Sequence, residues 1–135
     1  MKKNWYLIIA GAFAFIITVG HILPGGRHVL TPMLEAVFNP VAKRTLYGMW
    51  HFLSAFLFFS SVSLLATGLN LWPGSGNSLL TKFIMANYFA FAGIQIVVGF
   101  TADFSYGNLK LFQWMIFLTI AILTFLGTRA AYQKQ

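Results

Sequence analysis

Four apolar runs, 5–22, 46–69, 83–100 and 109–128, take up most of this chain, and they are 18, 24, 18 and 20 residues long. A helix needs about 20 consecutive apolar residues to cross the hydrocarbon core of a bilayer, whereas a barrel strand needs roughly half that, with alternating polarity. None of the runs alternates. The lengths predict an all-α fold, a single domain over 1–135 made of four antiparallel transmembrane helices in an up-down-up-down bundle. Composition points the same way: 59% of the residues are hydrophobic and only 8% are charged, where an ordinary soluble domain has roughly a quarter charged. Too few charges remain to coat a water-facing surface. That excludes a soluble domain, a disordered chain and a nucleic-acid-binding domain, so no nucleic-acid partner is expected.

The net charge of +7 belongs to the membrane reading. Lys2, Lys3, Arg27, Lys43, Arg44, Lys82, Lys110, Arg129 and Lys134 stand at the ends of the apolar runs, where cations meet anionic lipid headgroups and set orientation. Membrane lipid is therefore the first expected partner. The first helix usually dominates orientation, and it has Lys2 and Lys3 before it against Arg27 after it. Both termini are expected in the cytoplasm, in the inner (plasma) membrane of a bacterium. Ala12-Phe13-Ala14 has the small-x-small form of a signal cleavage site but lies in the middle of its run, so the first run is read as a retained helix. There is no cysteine, hence no disulfide and no thiolate metal site.

The connections differ in length. Residues 23–45 form the one sizeable loop, on the outer side. Pro24-Gly25-Gly26 is expected to stop the first helix, Thr31-Pro32 to start a short surface helix over about 32–38, and Asn39-Pro40 to open a lead-in to the second span. Residues 70–81 carry Pro73-Gly74-Ser75-Gly76-Asn77 and read as a turn, and 101–108 are a short link.

Helical spacing groups the small and polar residues into one stripe per helix: Gly11, Ala14, Thr18 and His21; Tyr47, His51, Ser54, Phe58 and Ser61; Tyr88, Ala92, Gln95, Gly99 and Asp103; Gln113, Phe117, Ile120, Thr124 and Gly127. Membrane helices pack through small residues and turn polar ones inward, so these stripes are expected to face one another. In an antiparallel bundle every histidine and carboxylate falls at one mouth, with His21, His51 and Asp103 on the helices and His28 and Glu35 in the loop.

Two imidazoles and a carboxylate form a ligand set for Cu, Fe or Zn. His21, His51 and Asp103 are the expected metal ligands, with His28, Glu35, Gln95 and Gln113 as secondary candidates and Thr18 and Ser54 one turn deeper as supporting partners. Haem b held by His21 and His51 is the narrower variant. The bland alternative is that the histidines merely hydrogen-bond carbonyls or water at helix ends. Trp5, Trp50, Trp72 and Trp114 read as an aromatic belt, with Trp50 a possible shield for the site. The first functional expectation is thus a small membrane protein with a metal site at its outer mouth, part of a membrane oxidoreductase if the metal is redox-active. The others are a non-catalytic accessory subunit of a larger membrane complex or homo-oligomer, and a small transporter, which the absence of ionisable residues at mid-membrane disfavours.

Overall fold

The computed structural model describes residues 3–72, 78–101 and 113–132. Among them the regular structure is entirely helical: α1 (Trp5–Gly20), a π-helical stretch (His21–Leu30), α2 (Thr31–Glu35), α3 (Pro40–Gly68), α4 (Leu79–Thr101) and α5 (Gln113–Tyr132). Four helical segments, Trp5–Glu35, Pro40–Gly68, Leu79–Thr101 and Gln113–Ala131, are long and apolar enough to cross a membrane. Of the turn expected over 70–81, Leu79–Thr81 already belong to α4, and Thr101, expected to open the link over 101–108, is its last residue; 73–77, 102–108, the first residues of the run at 109–128 and the anchors Lys2, Lys110 and Lys134 lie outside the described residues.

The stretch expected to be a loop, 23–45, is mostly helical. Pro24-Gly25-Gly26 does not stop the first helix; the backbone widens into π-turns at His21 and tightens again at Thr31. Proline lacks an N–H, and in an α-turn its ring strikes the carbonyl four residues back. The wider i→i+5 turn relieves that clash while keeping the remaining backbone groups bonded. At the exit, the Thr31 N–H donates to the Gly26 carbonyl, and its hydroxyl donates to the same oxygen at 3.1 Å. The short helix that follows covers Thr31–Glu35 rather than 32–38. Asn39 then caps α3, its side-chain oxygen accepting from the Val41 N–H at 2.8 Å and from the Ala42 N–H at 3.3 Å, with Pro40 in the first turn. The second long helix therefore begins at Pro40 rather than at 46.

α1 packs chiefly on α3 and also on α5, α4 packs on α5, and α3 and α4 meet only sparsely. The core takes Leu7, Ala10 and Ala14 from α1, Leu57 and Leu64 from α3, Ile84, Tyr88 and Ala92 from α4, and Phe117, Ile120 and Ala121 from α5. Glycines set the closest approaches. A Cβ on Gly68 would lie 2.7 Å from the Ile8 backbone nitrogen, and one on Gly11 would lie 2.8 Å from that of Leu65. Asn4 ties three helices at this end: its N–H donates to the Gly68 carbonyl at 2.9 Å and its side-chain amide donates to the Gly127 carbonyl at 2.8 Å. Between α3 and α4, contact passes through long side chains. The Ser60 and Tyr88 hydroxyls are hydrogen-bonded at 2.8 Å, and Phe56 meets Tyr88 and Phe91 at ring separations of 5.8 and 5.2 Å. Outward faces carry Phe52, Phe59, Phe83, Ile94 and Phe100, all exposed on the isolated chain.

Candidate functional site

At the end of the bundle away from Asn4, a cavity of about 390 Å³ lies between the π-helical stretch, α3 and α5. Binding pockets for small molecules begin at roughly 300 Å³, and a cavity of about 150 Å³ already admits benzene. Gly20 and Gly25 thin one wall, Leu53 and Leu57 form a second, and Ile116 and Phe117 a third. Three residues with hydrogen-bonding side chains join them: His21, Trp50 and Gln113. Among the described residues no charged side chain lines it.

His21 is the first residue of the π-helical stretch, and the wider turn aims it across at α3. Its imidazole is half-buried and stacks on the Trp50 indole, with ring centroids 4.0 Å apart and planes 18° from parallel. The indole edge reaches Gly25, where a Cβ would lie 3.3 Å from it, so a glycine at 25 makes room for the stack. The His21 Nε2 lies 3.4 Å from the Trp50 carbonyl, which also accepts the Ser54 hydroxyl at 2.9 Å. A carbonyl can only accept, so this contact places the proton of neutral His21 on Nε2 and leaves Nδ1 as an acceptor.

On the opposite wall, the Gln95 side-chain amide of α4 donates to the Gln113 Oε1 of α5 at 3.0 Å. That bond fixes the Gln113 amide and leaves its NH₂ without a partner among the described residues. The Gln95 Oε1 is buried and likewise has no partner among the described residues.

The expected site residues separate into those that meet here and those that do not. His21 and Gln113 line the cavity, and Gln95 and Ser54 support them through the bonds just described. Thr18 is buried one turn below His21 and returns its hydroxyl to the Ala14 carbonyl at 2.8 Å. His51 is exposed, its ring edge-on to Tyr47 with centroids 4.5 Å apart, and it does not line the cavity. His28 and Glu35 are exposed. Asp103 lies outside the described residues. Among the described residues no three His, Asp or Glu side chains come together.

Trp50 is the site residue that a belt reading passes over. The inward row of α3 runs Trp50, Ser54, Leu57, Ser61, Leu64, Gly68, spaced alternately by four and three, and all but Trp50 are buried. His51 is one residue off this row, which turns it by about 100° at 3.6 residues per turn. The row is readable from the serines and glycine; its outer member is Trp50, which stacks on His21, while His51 lies beside the row and is exposed. Comparison with models of known protein families, with curated proteins and with solved structures finds no match for this chain.

Proposed function

We propose that this chain is a small integral membrane protein that binds a lipid-soluble small molecule in the cavity beside His21. The observation that carries this reading is the cavity itself: about 390 Å³, mostly apolar in its lining, with a few hydrogen-bonding groups converging on it. The π-helical wall adds support, since π-turns inside helices recur at functional sites. In the membrane the four helices run up-down-up-down. Consistent with this, residues 4, 11 and 25 of the first segment meet Gly68, Leu65 and Trp50 of α3 in reverse order. Lys3 at one end and Arg27, Lys43 and Arg44 at the other meet headgroups. Spanning by helices suits a bacterial inner membrane, and both termini are placed in the cytoplasm.

The guest is tested by extraction. Protein purified in mild detergent is extracted with organic solvent and the extract compared by mass spectrometry with that from Gly20→Leu. Gly20 lines the cavity, and a Cβ there meets nothing within 4 Å, so the larger side chain blocks the space without striking the backbone. A compound present at near one per chain in the natural protein and depleted in Gly20→Leu is the expected result. Equal extracts, or none, overturn the reading. Orientation is tested on single-cysteine variants, which need no background removal because the chain has no cysteine. Impermeant reagent should label position 28 in intact cells and spare position 134; the reverse pattern overturns the assignment.

A metal held by His21 and His51 is the second reading. What favours it is that the His21 Nδ1 has no partner among the described residues, at the corner where Trp50 and His51 adjoin in sequence. Elemental analysis and an absorption spectrum decide it: stoichiometric Cu, Fe or Zn, or a haem band, lost in His21→Ala and in His51→Ala, supports the pair. Full metal content in both variants, or none in the natural protein, removes it.

A further inference from the structure

We infer that the guest of this cavity is an uncharged hydroxylated aromatic, a phenol-type ring whose O–H donates to the His21 Nδ1 and whose oxygen accepts from the Gln113 amide. The inference rests on the cavity being a binding site, as proposed above, and specifies its ligand. Three observations carry it. The first is the pair of complementary groups. The Trp50 carbonyl takes the His21 Nε2–H and so leaves an acceptor, while the Gln95–Gln113 bond takes the Gln113 Oε1 and so leaves a donor. One acceptor and one donor are matched by a hydroxyl, which both gives and receives; a ketone or an ether could satisfy only the donor.

The second observation is that no charged side chain among the described residues lines the walls. A carboxylate, a phosphate or an ammonium would lose its water there with no counter-charge in return, a cost that keeps ionised groups out of such spaces. The third is the character of the walls. His21 stacked on Trp50, together with Phe117, presents flat π-surfaces, against which rings pack in offset or edge-on geometry. The volume exceeds what one benzene ring fills, leaving room for an apolar substituent on the ring.

The test uses the full chain in lipid nanodiscs with two probes of nearly equal size, 4-fluorophenol and 4-fluoroanisole, followed by fluorine NMR against empty nanodiscs. Methylation removes the O–H and little else. The expected result is saturable binding of the phenol about tenfold tighter than of the ether, a ratio matching one hydrogen bond. That preference should vanish in His21→Phe, which keeps a stacking ring, whereas Gln113→Leu, which removes the donor that both probe oxygens accept from, should weaken both probes alike. Binding of both probes should disappear in Gly20→Leu. If the two probes bind equally and Gly20→Leu blocks both, the cavity reading stands and the hydroxyl assignment is overturned. If neither probe saturates, both fall. A preference that persists unchanged in His21→Phe, or binding of both probes unweakened in Gln113→Leu, also overturns the assignment. Should His21→Phe lose its helical circular dichroism, the phenol-to-ether ratio in the natural chain and the common weakening in Gln113→Leu carry the test.

Discussion

The two ends of the bundle are built on opposite principles. Where α1 begins, helices approach backbone to backbone at Gly68 on Ile8 and Gly11 on Leu65, the Leu7 side chain fills the space over Gly127, and Asn4 is bonded to the carbonyls of Gly68 and Gly127. Where α1 ends, the backbone loosens into π-turns, Gly20 and Gly26 have nothing within 4 Å of a Cβ position, and an indole and an imidazole hold a cavity open. Glycine occurs at both ends for contrary reasons. At the closed end its missing side chain is filled by a neighbouring helix; at the open end no described atom lies within 4 Å of a Cβ on Gly20 or Gly26. Helix association in lipid gains little from burying apolar surface, because lipid is equally apolar, so close packing through small residues supplies the adhesion. Concentrating that packing at one end leaves the other free to be a site.

Substitutions at the closed end should have the largest effects. In Gly68→Ala the new methyl meets the Ile8 backbone nitrogen at 2.7 Å and the Asn4 carbonyl at 3.1 Å, neither of which can swing aside as a side-chain tip can. Overpacking of this kind costs about 1–3 kcal/mol, offset by up to ~1 kcal/mol of helix propensity. Gly68→Leu should leave no folded protein, read as loss of cooperative unfolding in a detergent titration. Wild-type stability in Gly68→Leu would show that the end is not closed. Asn4→Ala comes next. It removes the amide bond to Gly127 and the weaker cap to the Leu7 N–H at 3.4 Å, for a loss of about 1 kcal/mol. No change in Asn4→Ala would mean that the three-helix tie is incidental.

Between the ends, α3 and α4 are joined through the Ser60–Tyr88 pair. Tyr88→Phe removes the hydroxyl but leaves Ser60 bonded to the Leu57 carbonyl at 3.0 Å, so no buried group is stranded. The expected loss is about 0.6 kcal/mol, the mean for a hydrogen bond between membrane helices. A loss several times larger would make this pair, rather than the closed end, the fastening of the bundle.

The closed end was largely legible in the sequence, and the open end only in part. Gly11, Ala14, Thr124 and Gly127 are all buried as their spacing requires, because small residues at helical intervals have one use between membrane helices, whereas Tyr47 and Phe58, bulky members of the stripe expected on α3, are exposed. Four membrane-length helices follow from run length alone. The open end escaped for two physical reasons. Proline and paired glycines ordinarily end a helix, and nothing local announces that a π-turn will carry the chain past them. An apolar cavity is a property of what side chains fail to fill, which no stripe of polar residues encodes. Polar residues at helical spacing mark His21 and Gln113, which do line the cavity, together with His51, which stands one residue off the inward row. Trp50 reads as a membrane anchor, since tryptophan near a helix end has that role in lipid far more often than it walls a site.

The smallest effect is the one that separates the two ends most cleanly. Gly20 has φ −62° and ψ −38°, ordinary right-handed helical values that alanine adopts without strain. A Cβ there meets nothing within 4 Å, so no contact is lost and none is forced. What remains is the unfolded chain, which glycine leaves freer than alanine does. Gly20→Ala should therefore stabilise by about 0.4–1 kcal/mol through that entropy alone. The same chemical change thus has opposite signs at the two ends of one bundle, negative for stability at Gly68 and positive at Gly20. Paired unfolding titrations in the same detergent read both, and the difference between the two variants is more secure than either value because the shared denatured state largely cancels. A loss at Gly20 comparable to that at Gly68 would mean that protein already fills the space beside His21. In that case the cavity would be closed in solution, and Gly20→Leu would be a clash rather than a plug.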